Sequence, residues 1–221
     1  MSPTEALWFG KILATKKIAE LSPMLNLGSS TTQYRTDTCP HIDKFLFAPL
    51  TERGVRVIHS DLKVNEGVDF VGNVLEESTQ KELSTFGIRS ILCNNLFEHV
   101  QDIESLCAAL TEICPIGGLL FLSVPYKYPY HPDPIDNGFR PSLEDLQALL
   151  LPHGFQLVVG EIVDFGSYWR SLNEKRWLCL RDVFMLAAGI VDRNKWRVLF
   201  ENYRYLFRQY RVTCAVFVMS G

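Results

Sequence analysis

The sequence predicts an α/β fold with one mostly parallel sheet of seven strands, helices on both faces of the sheet, and a helical insertion before the last strand. Two observations carry this prediction. Short apolar runs alternate with segments of helical period, which is typical of strands joined by helical crossovers. The central runs are continuously apolar, and strands that are buried on both faces have that character in parallel sheets.

The first half of the chain contains one predicted helix and four predicted strands. The helix spans residues 4–20, with Ser2 or Thr4 as its N-cap. An apolar run at 24–27 closes at Gly28, which indicates a buried strand that feeds a turn. Three further strands are predicted, at 55–59, 69–72 and 90–93.

The second half begins with a helix at 103–114, whose apolar side chains recur with the 3.6-residue period. Residues 119–125 are the most strand-like segment of the chain. A loop rich in proline and aromatic residues follows at 126–141, and Ser142 is the predicted N-cap of a helix that ends near Gly154. The last two strands are predicted at 155–163 and 212–219, on either side of the insertion at 167–210.

The composition is that of a globular protein with a core, since 47% of the 221 residues are hydrophobic and 21% are charged. This length suits a single domain that spans residues 1–221. The formal net charge of −3 produces no field that favours nucleic acid, so we expect no nucleic-acid partner. No apolar run reaches the ~18–20 residues of a membrane span, and residues 1–17 lack the features of a signal peptide. We therefore expect a cytoplasmic location.

The six cysteines are scattered along the chain, and no two of them form a C-x-x-C pair. Several lie in apolar runs, where a reduced thiol packs as a small hydrophobic group. The sequence therefore predicts neither a disulfide framework nor a metal centre.

Open parallel sheets bind their ligands beyond the carboxyl ends of the strands, so the residues that follow each strand are the candidates for a site. The segment 28–32, GSSTT, follows the first strand, and such a small turn lets a ligand approach the backbone. Asp61 follows the second strand, where nucleoside-binding sheets use an acid to accept hydrogen bonds from ribose hydroxyls. Each of these signals is weak when it stands alone.

A longer run of features strengthens these two signals. Residues 90–125 read SILCNNLFEHVQDIESLCAALTEICPIGGLLFLSVP and resemble the core of the class I S-adenosylmethionine-dependent methyltransferases, in their small-molecule, methyltransferase type 11-like branch. The matching features are FEHV at 97–100, Asp102, Glu112 with Ile113, the glycine pair at 117–118, and SVP at 123–125. The segments 59–76 and 131–155 are similar to further parts of the same family.

The resemblance implies a Rossmann-like fold, S-adenosylmethionine as the cofactor, and a set of binding residues. Gly28 and Ser29 would line the methionine part of the cofactor. Asp61 would hold the ribose hydroxyls, with Leu62 packed on the adenine. The residues implied for the adenine edge and for the border of the sulfonium are Asn73, Val74, Asn94, Asn95 and Leu96.

The chain departs from the family pattern in its first turn and at the adenine edge. The family usually has an acid where this chain has Asn26, and two further glycines where it has Ser30 and Thr32. The first change removes a partner for the cofactor's ammonium group, and the second would narrow the turn. An acid is also common where Asn73 stands, although an amide oxygen still accepts from the adenine amino group.

Methyl transfer from a sulfonium is an in-line displacement, in which the enzyme mainly positions the acceptor. A general base helps when the acceptor is a hydroxyl, and the loop at 126–141 offers His131, Asp133 and Asp136. His131 is the preferred catalytic residue because the pKa of histidine lies near neutral pH. The alternative is a surface loop that its prolines merely stiffen.

Two neighbouring residues are expected to be structural. We expect His99 to hold the loop after the fourth strand through a hydrogen bond. Arg140 could pair with an anionic substrate group, but we favour a pair within the chain, with Asp136 or Glu144.

The insertion at 167–210 interleaves aromatic residues with arginines and a lysine. One interpretation is a lid or pocket for a large, partly anionic acceptor, and another is a basic surface for peripheral membrane contact. The simplest interpretation packs the aromatic side chains on the sheet and leaves the arginines in water. A homodimer interface through residues 178–190 is a further alternative.

Two classes of function fit these observations. The leading hypothesis is an enzyme that transfers a methyl group from S-adenosylmethionine to a small-molecule, glycan or lipid-linked acceptor. The alternative is a catalytically inactive protein of the same fold that serves as a binding or assembly module, which Asn26 and the glycine-poor turn favour. A nicotinamide-dependent oxidoreductase fits poorly, because the turn offers one glycine where the dinucleotide fingerprint needs three.

Overall fold

The computed structural model describes residues 1–131, 135–169, 172, 177–188 and 193–220. The strands are β1 Met24–Leu27, β2 Val57–Asp61, β3 Phe70–Val71, β4 Ser90–Asn94, β5 Leu119–Lys127, β6 Phe155–Asp164 and β7 Arg211–Met219. The longer helices are α1 Pro3–Thr15, α2 Glu77–Ser84, α3 Ile103–Ile113, α4 Leu143–Leu150, α5 Trp177–Ala188 and α6 Arg193–Arg204. Shorter helical turns are Ile18–Leu21, Tyr34–Thr38, Pro40–Ile42, Asp43–Phe47, Ala48–Glu52, Phe97–His99 and Leu151–His153.

All seven strands form one sheet with the order β3-β2-β1-β4-β5-β7-β6. The pairs from β3 to β5 are parallel, and β7 runs antiparallel to both β5 and β6. The predicted fold, a mostly parallel seven-stranded sheet of Rossmann-like type, is therefore confirmed. All seven strands lie within one or two residues of the predicted segments.

The second strand begins later than predicted. Val55 is buried, but its N–H bonds to the carbonyl oxygen of Leu50 in the preceding turn, so the strand starts only after it. As a result β2 extends to Asp61, and this acid is the last residue of the strand instead of following it.

The first helix carries a predicted cap but is shorter than predicted. Ser2 Oγ accepts from the N–H of Glu5, and the Glu5 carboxylate accepts from the N–H of Ser2, which is a capping box. The helix ends at Thr15 because Lys16 has an extended backbone. A separate turn, Ile18–Leu21, follows it.

Helix α2 and the structure of residues 34–52 are not predicted from the sequence. Residues 34–52 form a series of single turns, two of which are π-helical. The sequence of α2, ESTQKELS, is almost entirely polar, and only Thr79 and Leu83 of this helix are buried. Neither segment carries the apolar period from which helices are predicted.

Each face of the sheet has its own apolar core, so helices cover both faces as predicted. On one face α2, α3 and α4 pack against residues such as Leu25 and Ile91. On the other face α1 and the turns of residues 42–50 pack against residues such as Phe121. The rings of Phe9 and Phe121 lie 6.4 Å apart edge to face. This packing holds α1 across the sheet and brings Glu5 to the ends of β4 and β5.

The described part of the insertion is helical, as predicted. The buried Tyr168 hydroxyl donates to the Asp182 carboxylate, and Arg181 contacts both groups. Leu178 and Leu199 are buried. In contrast, four apolar side chains of α5 are more than half exposed: Leu180, Val183, Phe184 and Leu186. Residues 189 and 190 of the predicted homodimer interface lie outside the described residues.

Within the described ranges, the structure contains no helix that is both long and apolar enough to cross a membrane. The described cysteine thiols, Cys39, Cys93, Cys107, Cys114 and Cys214, are not in disulfides. Burial raises the pKa of Cys93, Cys107, Cys114 and Cys214 above the ordinary range of a thiol, so these side chains pack as small hydrophobic groups.

Candidate functional site

The carboxyl ends of β1, β2, β4 and β5 meet at one edge of the sheet, because these four strands are parallel. We divide this edge into two halves. The β1–β2 half contains residues 28–35 and 59–63, and the β4–β5 half contains residues 94–99, 123–131 and 135–140. The strand order reverses between β1 and β4, and open α/β sheets bind their ligands at such a point.

The turn after β1 requires glycine at its first position. Gly28 is exposed and has a φ of +71°, and a Cβ added there would lie 3.4 Å from Cδ1 of Leu96. Ser29 is buried, and Ser30 has a φ of +56°, which costs a residue with a side chain about 1 kcal/mol. A ligand can therefore approach the backbone at Gly28, with Leu96 as its neighbour from the β4–β5 half.

Asp61 lies directly beside this turn. Its Oδ2 accepts from the N–H of Ser30 at 2.8 Å, and its Oδ1 accepts from the N–H of Lys63 at 3.2 Å. A carboxylate offers about four acceptor positions, so two remain for further donors. The next residue, Leu62, is 65% exposed and presents an apolar side chain at the same edge.

Arg35 is a buried cation that the sequence analysis missed. Its side chain is 6% exposed. Nη1 donates to the carbonyl oxygens of Ser29 and Ser30 at 2.9 and 2.7 Å, and Nη2 donates to that of Gly67 at 2.8 Å. Burial lowers the pKa of Arg35, and nearby carboxylates, including that of Asp61, oppose this effect. The guanidinium fixes the turn after β1 and places a positive charge near Asp61.

Asn26, which stands where the resembling family has an acid, is used inside the sheet. Its Nδ2 donates to Nδ1 of His59 on the adjacent strand at 2.9 Å. Burial, assisted by the charge of Arg35, lowers the pKa of His59 to about 4, so the ring is neutral and accepts this bond at neutral pH. Asn26 is 7% exposed, and its amide is already paired.

Asn73 and Val74 follow β3, and both accept hydrogen bonds from the next turn and from α2. Asn73 Oδ1 accepts from the N–H of Leu75 at 3.2 Å. Val74 is 8% exposed, its side chain belongs to the core, and its carbonyl accepts from Gln80. The oxygen that the sequence analysis assigned to the adenine edge is therefore already engaged in the chain's own turn.

A carboxylate from α1 organises the polar side chains at the end of β4. Glu5 is 2% exposed, and its Oε1 accepts from Asn95 Nδ2 at 2.9 Å and from Ser123 Oγ at 2.5 Å. Ser123 Oγ also lies 3.0 Å from Asn94 Oδ1. This role of Glu5 is not predictable from the sequence, since no linear pattern relates Glu5 to a strand more than a hundred residues away.

Glu98 and His99 lie in the 3-10 turn Phe97–His99. The Glu98 side chain is fully buried, and neither of its carboxylate oxygens has a hydrogen-bond partner. Burial raises the pKa of Glu98 to about 7. His99 Nδ1 donates to the carbonyl oxygen of Ile135 at 2.5 Å, which confirms that His99 holds its loop through a hydrogen bond. Its Nε2 lies 3.8 Å from Glu98 Oε1.

His131 lies in the loop after β5, with Nδ1 at 3.2 Å from the carbonyl oxygen of Pro129 and 3.3 Å from Asp136 Oδ2. Arg140 pairs with Asp136 at 2.6 Å, which confirms the predicted pair within the chain. Burial acts to raise the pKa of Asp136, but hydrogen bonds from Arg140 and the backbone hold it below its ordinary value. Asp136 is therefore ionised and poorly suited to act as a base. Asp133, the third candidate, lies outside the described residues.

The insertion borders the loop that carries His131. The Arg197 guanidinium lies 4.0 Å from the centre of the Tyr130 ring. Tyr128 stacks on Phe165 at 5.7 Å and meets Tyr210 edge to face at 4.9 Å. These contacts bring aromatic side chains from both sides of the insertion against the β4–β5 half.

Most of the predicted site residues are therefore brought to one edge of the sheet. The proximity of Gly28 to Leu96 joins the two halves of that edge, and the hydrogen bond from Ser30 to Asp61 ties together the two loops of the β1–β2 half. His131 is joined to the same edge through the ring of His99, at a centroid distance of 5.4 Å. Val74 is the clear exception, since its side chain faces the core.

Several solved structures share this fold. An S-adenosylmethionine-dependent methyltransferase from Archaeoglobus fulgidus matches with a TM-score of 0.55 at 14% identity, over 96% of this chain and 92% of that chain. Phosphoethanolamine N-methyltransferase 2 from Haemonchus contortus, in complex with phosphomonomethylethanolamine and S-adenosylhomocysteine, matches with a TM-score of 0.53 at 12% identity. That match covers 98% of this chain and 52% of the Haemonchus enzyme, so the chain spans about half of that enzyme's length.

The chain thus has the fold of the class I S-adenosylmethionine-dependent methyltransferases. The cyclase SpnF shares the fold, with a TM-score of 0.52 at 14% identity over 97% of this chain and 81% of that chain. No protein-family model matches the sequence, and no curated relative matches it. Since a cyclase is among the structural neighbours, the reaction has to be argued from the site and not from the fold.

Proposed function

We propose that this protein is an S-adenosylmethionine-dependent methyltransferase. The observation that supports this most strongly is the position of Asp61, a carboxylate at the end of β2 that is hydrogen-bonded to the turn after β1. Nucleoside-binding sheets use an acid at this place to accept from ribose hydroxyls. Two structural neighbours hold S-adenosylhomocysteine, the demethylated form of the cofactor.

The residues of the β1–β2 half fit the cofactor. Asp61 has two acceptor positions left for the ribose hydroxyls, and the exposed Leu62 offers an apolar surface to the adenine ring. Gly28 and Ser29 would line the methionine part, where the lack of a Cβ at Gly28 allows close approach. The bound cofactor would supply an electrophilic methyl group.

The remaining assignments follow from the same placement of the cofactor. Asn94, Asn95 and Leu96 would border the sulfonium at the end of β4. Asn73 and Val74 would meet the adenine edge, mainly through their backbone, since the Asn73 side-chain oxygen and the Val74 side chain are engaged elsewhere.

The acceptor would lie over the β4–β5 half, with His131 as its base. Because Nδ1 of His131 donates to Pro129, the lone pair of the neutral ring is on Nε2. That nitrogen would take the proton of an acceptor hydroxyl as the methyl group arrives. The ionised Asp136 beside Nδ1 would hold the ring in this tautomer, and Arg140 holds Asp136.

The proposed acceptor is a small molecule, a glycan or a lipid-linked compound, and the insertion would act as its lid within a single domain. This choice is supported by the aromatic residues and the Arg197 cation beside the His131 loop. The exposed side chains of Leu180, Val183 and Phe184 suit either peripheral membrane contact or a homodimer. A cytoplasmic location stays a prediction from the sequence.

A catalytically inactive module of the same fold is the alternative. Two observations favour it: the Asn26 amide is paired with His59, and the Asn95 side chain is paired with Glu5. Both side chains stand where the cofactor would need partners. The module would keep the fold and bind a partner without transferring a methyl group.

Calorimetric titration of the protein with S-adenosylhomocysteine separates the two candidates. We expect micromolar binding that Asp61→Ala weakens by ~10-fold or more, about 1.4 kcal/mol, because the ribose hydroxyls lose their acceptor. Asp69→Asn is the control, since it removes a neighbouring charge while its side-chain oxygen still accepts from the N–H of His59. Absence of heat and of any thermal shift at millimolar ligand would leave the inactive module.

A further inference from the structure

The carboxylate of Glu98 is buried without a partner. Its side chain has no exposed surface, and neither oxygen accepts a hydrogen bond. An unpaired buried polar group costs about 1–3 kcal/mol, and a charged one costs more. Buried carboxylates therefore pair with another group or coordinate a metal ion.

Two histidines with defined tautomers stand beside this carboxylate. His99 Nδ1 donates to the carbonyl oxygen of Ile135 at 2.5 Å, and His131 Nδ1 lies 3.2 Å from that of Pro129. Since a neutral imidazole donates from one nitrogen only, Nε2 of each ring carries the lone pair. Metal-binding histidines are held in this way, with the other ring N–H on a carbonyl or carboxylate oxygen.

The three side chains are close enough to share one ion. One ligand atom from each of Glu98, His99 and His131 lies within 4.8 Å of the other two. Ligand atoms at about 2.0 Å from a tetrahedral zinc ion stand roughly 3.3 Å apart, so a contraction of at most about 1.5 Å would complete the site. The Nε2 of His99 already lies 3.8 Å from Glu98 Oε1.

We propose that Glu98, His99 and His131 bind one divalent ion of the first transition row, such as Zn²⁺. Two imidazole nitrogens and one carboxylate oxygen suit ions of this class, whereas Mg²⁺ and Ca²⁺ prefer oxygen ligands alone. Asp136, held by Arg140, is the carboxylate behind the His131 ring. Three protein ligands leave one position open, which is typical of metal sites that act on a substrate.

The scattered cysteines predict no metal centre, and none of the proposed ligands is a cysteine. The proposed ligands come from the loops after β4 and β5, which are separated in the chain and meet because these strands are neighbours in the sheet. Neither loop alone has the spacing of a metal-binding motif.

The proposed ion does not depend on the proposed methyl transfer. If the protein is a methyltransferase, the ion would lie in the acceptor region, hold an acceptor oxygen and lower the pKa of an acceptor hydroxyl. His131 would then serve as a ligand, and the ion would replace it as the group that activates the acceptor.

Calorimetric titration of the metal-stripped protein with Zn²⁺, without any S-adenosyl compound, tests the site. We expect saturable binding of one ion per chain and a rise in melting temperature. Glu98→Gln keeps the shape of the buried side chain without its charge, and His131→Asn removes the ligand of the second loop. Each should weaken Zn²⁺ binding by about 100-fold, the upper end of what loss of a supporting residue costs.

His153→Asn is the matched control, since His153 also pairs with a glutamate, Glu104, at 3.0 Å but stands outside the cluster. Its Zn²⁺ affinity should equal that of the wild type. Asp61→Ala should bind Zn²⁺ normally, so failure of this site and failure of the proposed cofactor site give different results. No saturable Zn²⁺ binding, or equal affinity in the wild type and both cluster variants, would overturn the proposal. His131→Asn keeps the test valid if Glu98→Gln does not fold.

Discussion

The two halves of the carboxyl edge are built in different ways. In the β1–β2 half, the polar side chains mostly bond to backbone groups: Asp61 accepts from two N–H groups, and Arg35 donates to three carbonyl oxygens. In the β4–β5 half, side chains from distant parts of the chain bond to one another, as Glu5 does with Asn95 and Ser123.

This difference bears on what each half can do. In the β1–β2 half, the Asp61 carboxylate keeps spare acceptor positions, which suits a ligand with two hydroxyls. At the β4–β5 half, Glu5 and Asp136 accept hydrogen bonds from other side chains, whereas neither oxygen of Glu98 accepts one. The turn after β1 is therefore fixed before a ligand arrives, whereas the second half contains a buried carboxylate without a hydrogen-bond partner.

The largest expected effect is that of Arg35→Met, which removes the donors while keeping an apolar stem. Three buried carbonyl oxygens lose their partner, so we expect unfolding in urea to show a loss of about 3 kcal/mol. The affinity for S-adenosylhomocysteine should fall as well, because the turn after β1, which lies beside Asp61, is no longer fixed.

Arg53→Met is the control. Arg53 also donates to two carbonyl oxygens, those of Leu13 and Lys16, but it lies far from the edge. It should lower stability without changing that affinity. Equal losses of affinity in both variants would contradict the comparison.

Glu5→Ala tests the side-chain network of the β4–β5 half. Asn95, Ser123 and the N–H of Ser2 each lose an acceptor, so we expect a loss of stability of about 2–3 kcal/mol. Glu20→Ala removes a similar but exposed capping bond, to the N–H of Lys17, and should cost about 1 kcal/mol or less. The measurement is urea unfolding. Similar losses of stability in the two variants would show that the contacts of Glu5 with β4 and β5 do not contribute to the free energy of unfolding.

The acid stability of the β1–β2 half should depend on His59. Its pKa in the folded protein is lowered from 6.5 to about 4, so the folded state favours the neutral ring. This contribution is fully present above pH ~6.5 and is lost as the pH falls towards 4, with about 2 kcal/mol lost at pH 5.

His59→Gln keeps an acceptor for Asn26 and should remove this part of the pH dependence. The measurement is urea unfolding at pH 7 and pH 5 for both proteins. His41→Gln is the control, since His41 bonds to the carbonyl of Met1. This variant should lose as much free energy of unfolding between pH 7 and pH 5 as the wild type does. If the free energy of unfolding of His59→Gln still falls between pH 7 and pH 5 as it does in the wild type, His59 is not the source of this pH dependence.

The smallest expected effect is that of Leu62→Ala. The side chain is 65% exposed, so the melting temperature should not change. Its proposed contact with adenine should make S-adenosylhomocysteine binding weaker by about 0.5–1 kcal/mol, the scale of one methylene of apolar burial. Leu151→Ala, at a leucine outside the edge that is 55% exposed, should leave the affinity unchanged. An unaltered titration of Leu62→Ala would remove this residue from the site.

The strands were predictable because buried apolar runs mark them. The position of Asp61 at the end of a strand was predictable too, since it follows from the order of those runs. The polar helix α2 and the turns of residues 34–52 were not predictable, since they carry no apolar period. Arg35 lies in that unpredicted segment, so its bonds to Ser29 and Ser30 had no sequence signal either.

The interactions of the β4–β5 half depend on tertiary structure. Glu5 reads from sequence as an acid of a helical first turn, and only the packing of Phe9 against Phe121 brings it to Ser123. Likewise, Glu98 and His99 lie in a recognisable FEHV segment, but their closeness to His131 follows from the pairing of β4 with β5. A linear pattern records neither relation.

The most direct test of the central claim is a crystal structure of the protein soaked with millimolar S-adenosylhomocysteine. The account predicts ribose hydroxyls within hydrogen-bond distance of the Asp61 carboxylate, adenine against Leu62, and the amino-acid part beside Gly28. Ligand density away from this edge would contradict the assignment of the β1–β2 half to the cofactor. So would the absence of ligand at residues 28–32 in a crystal whose lattice contacts do not block this turn.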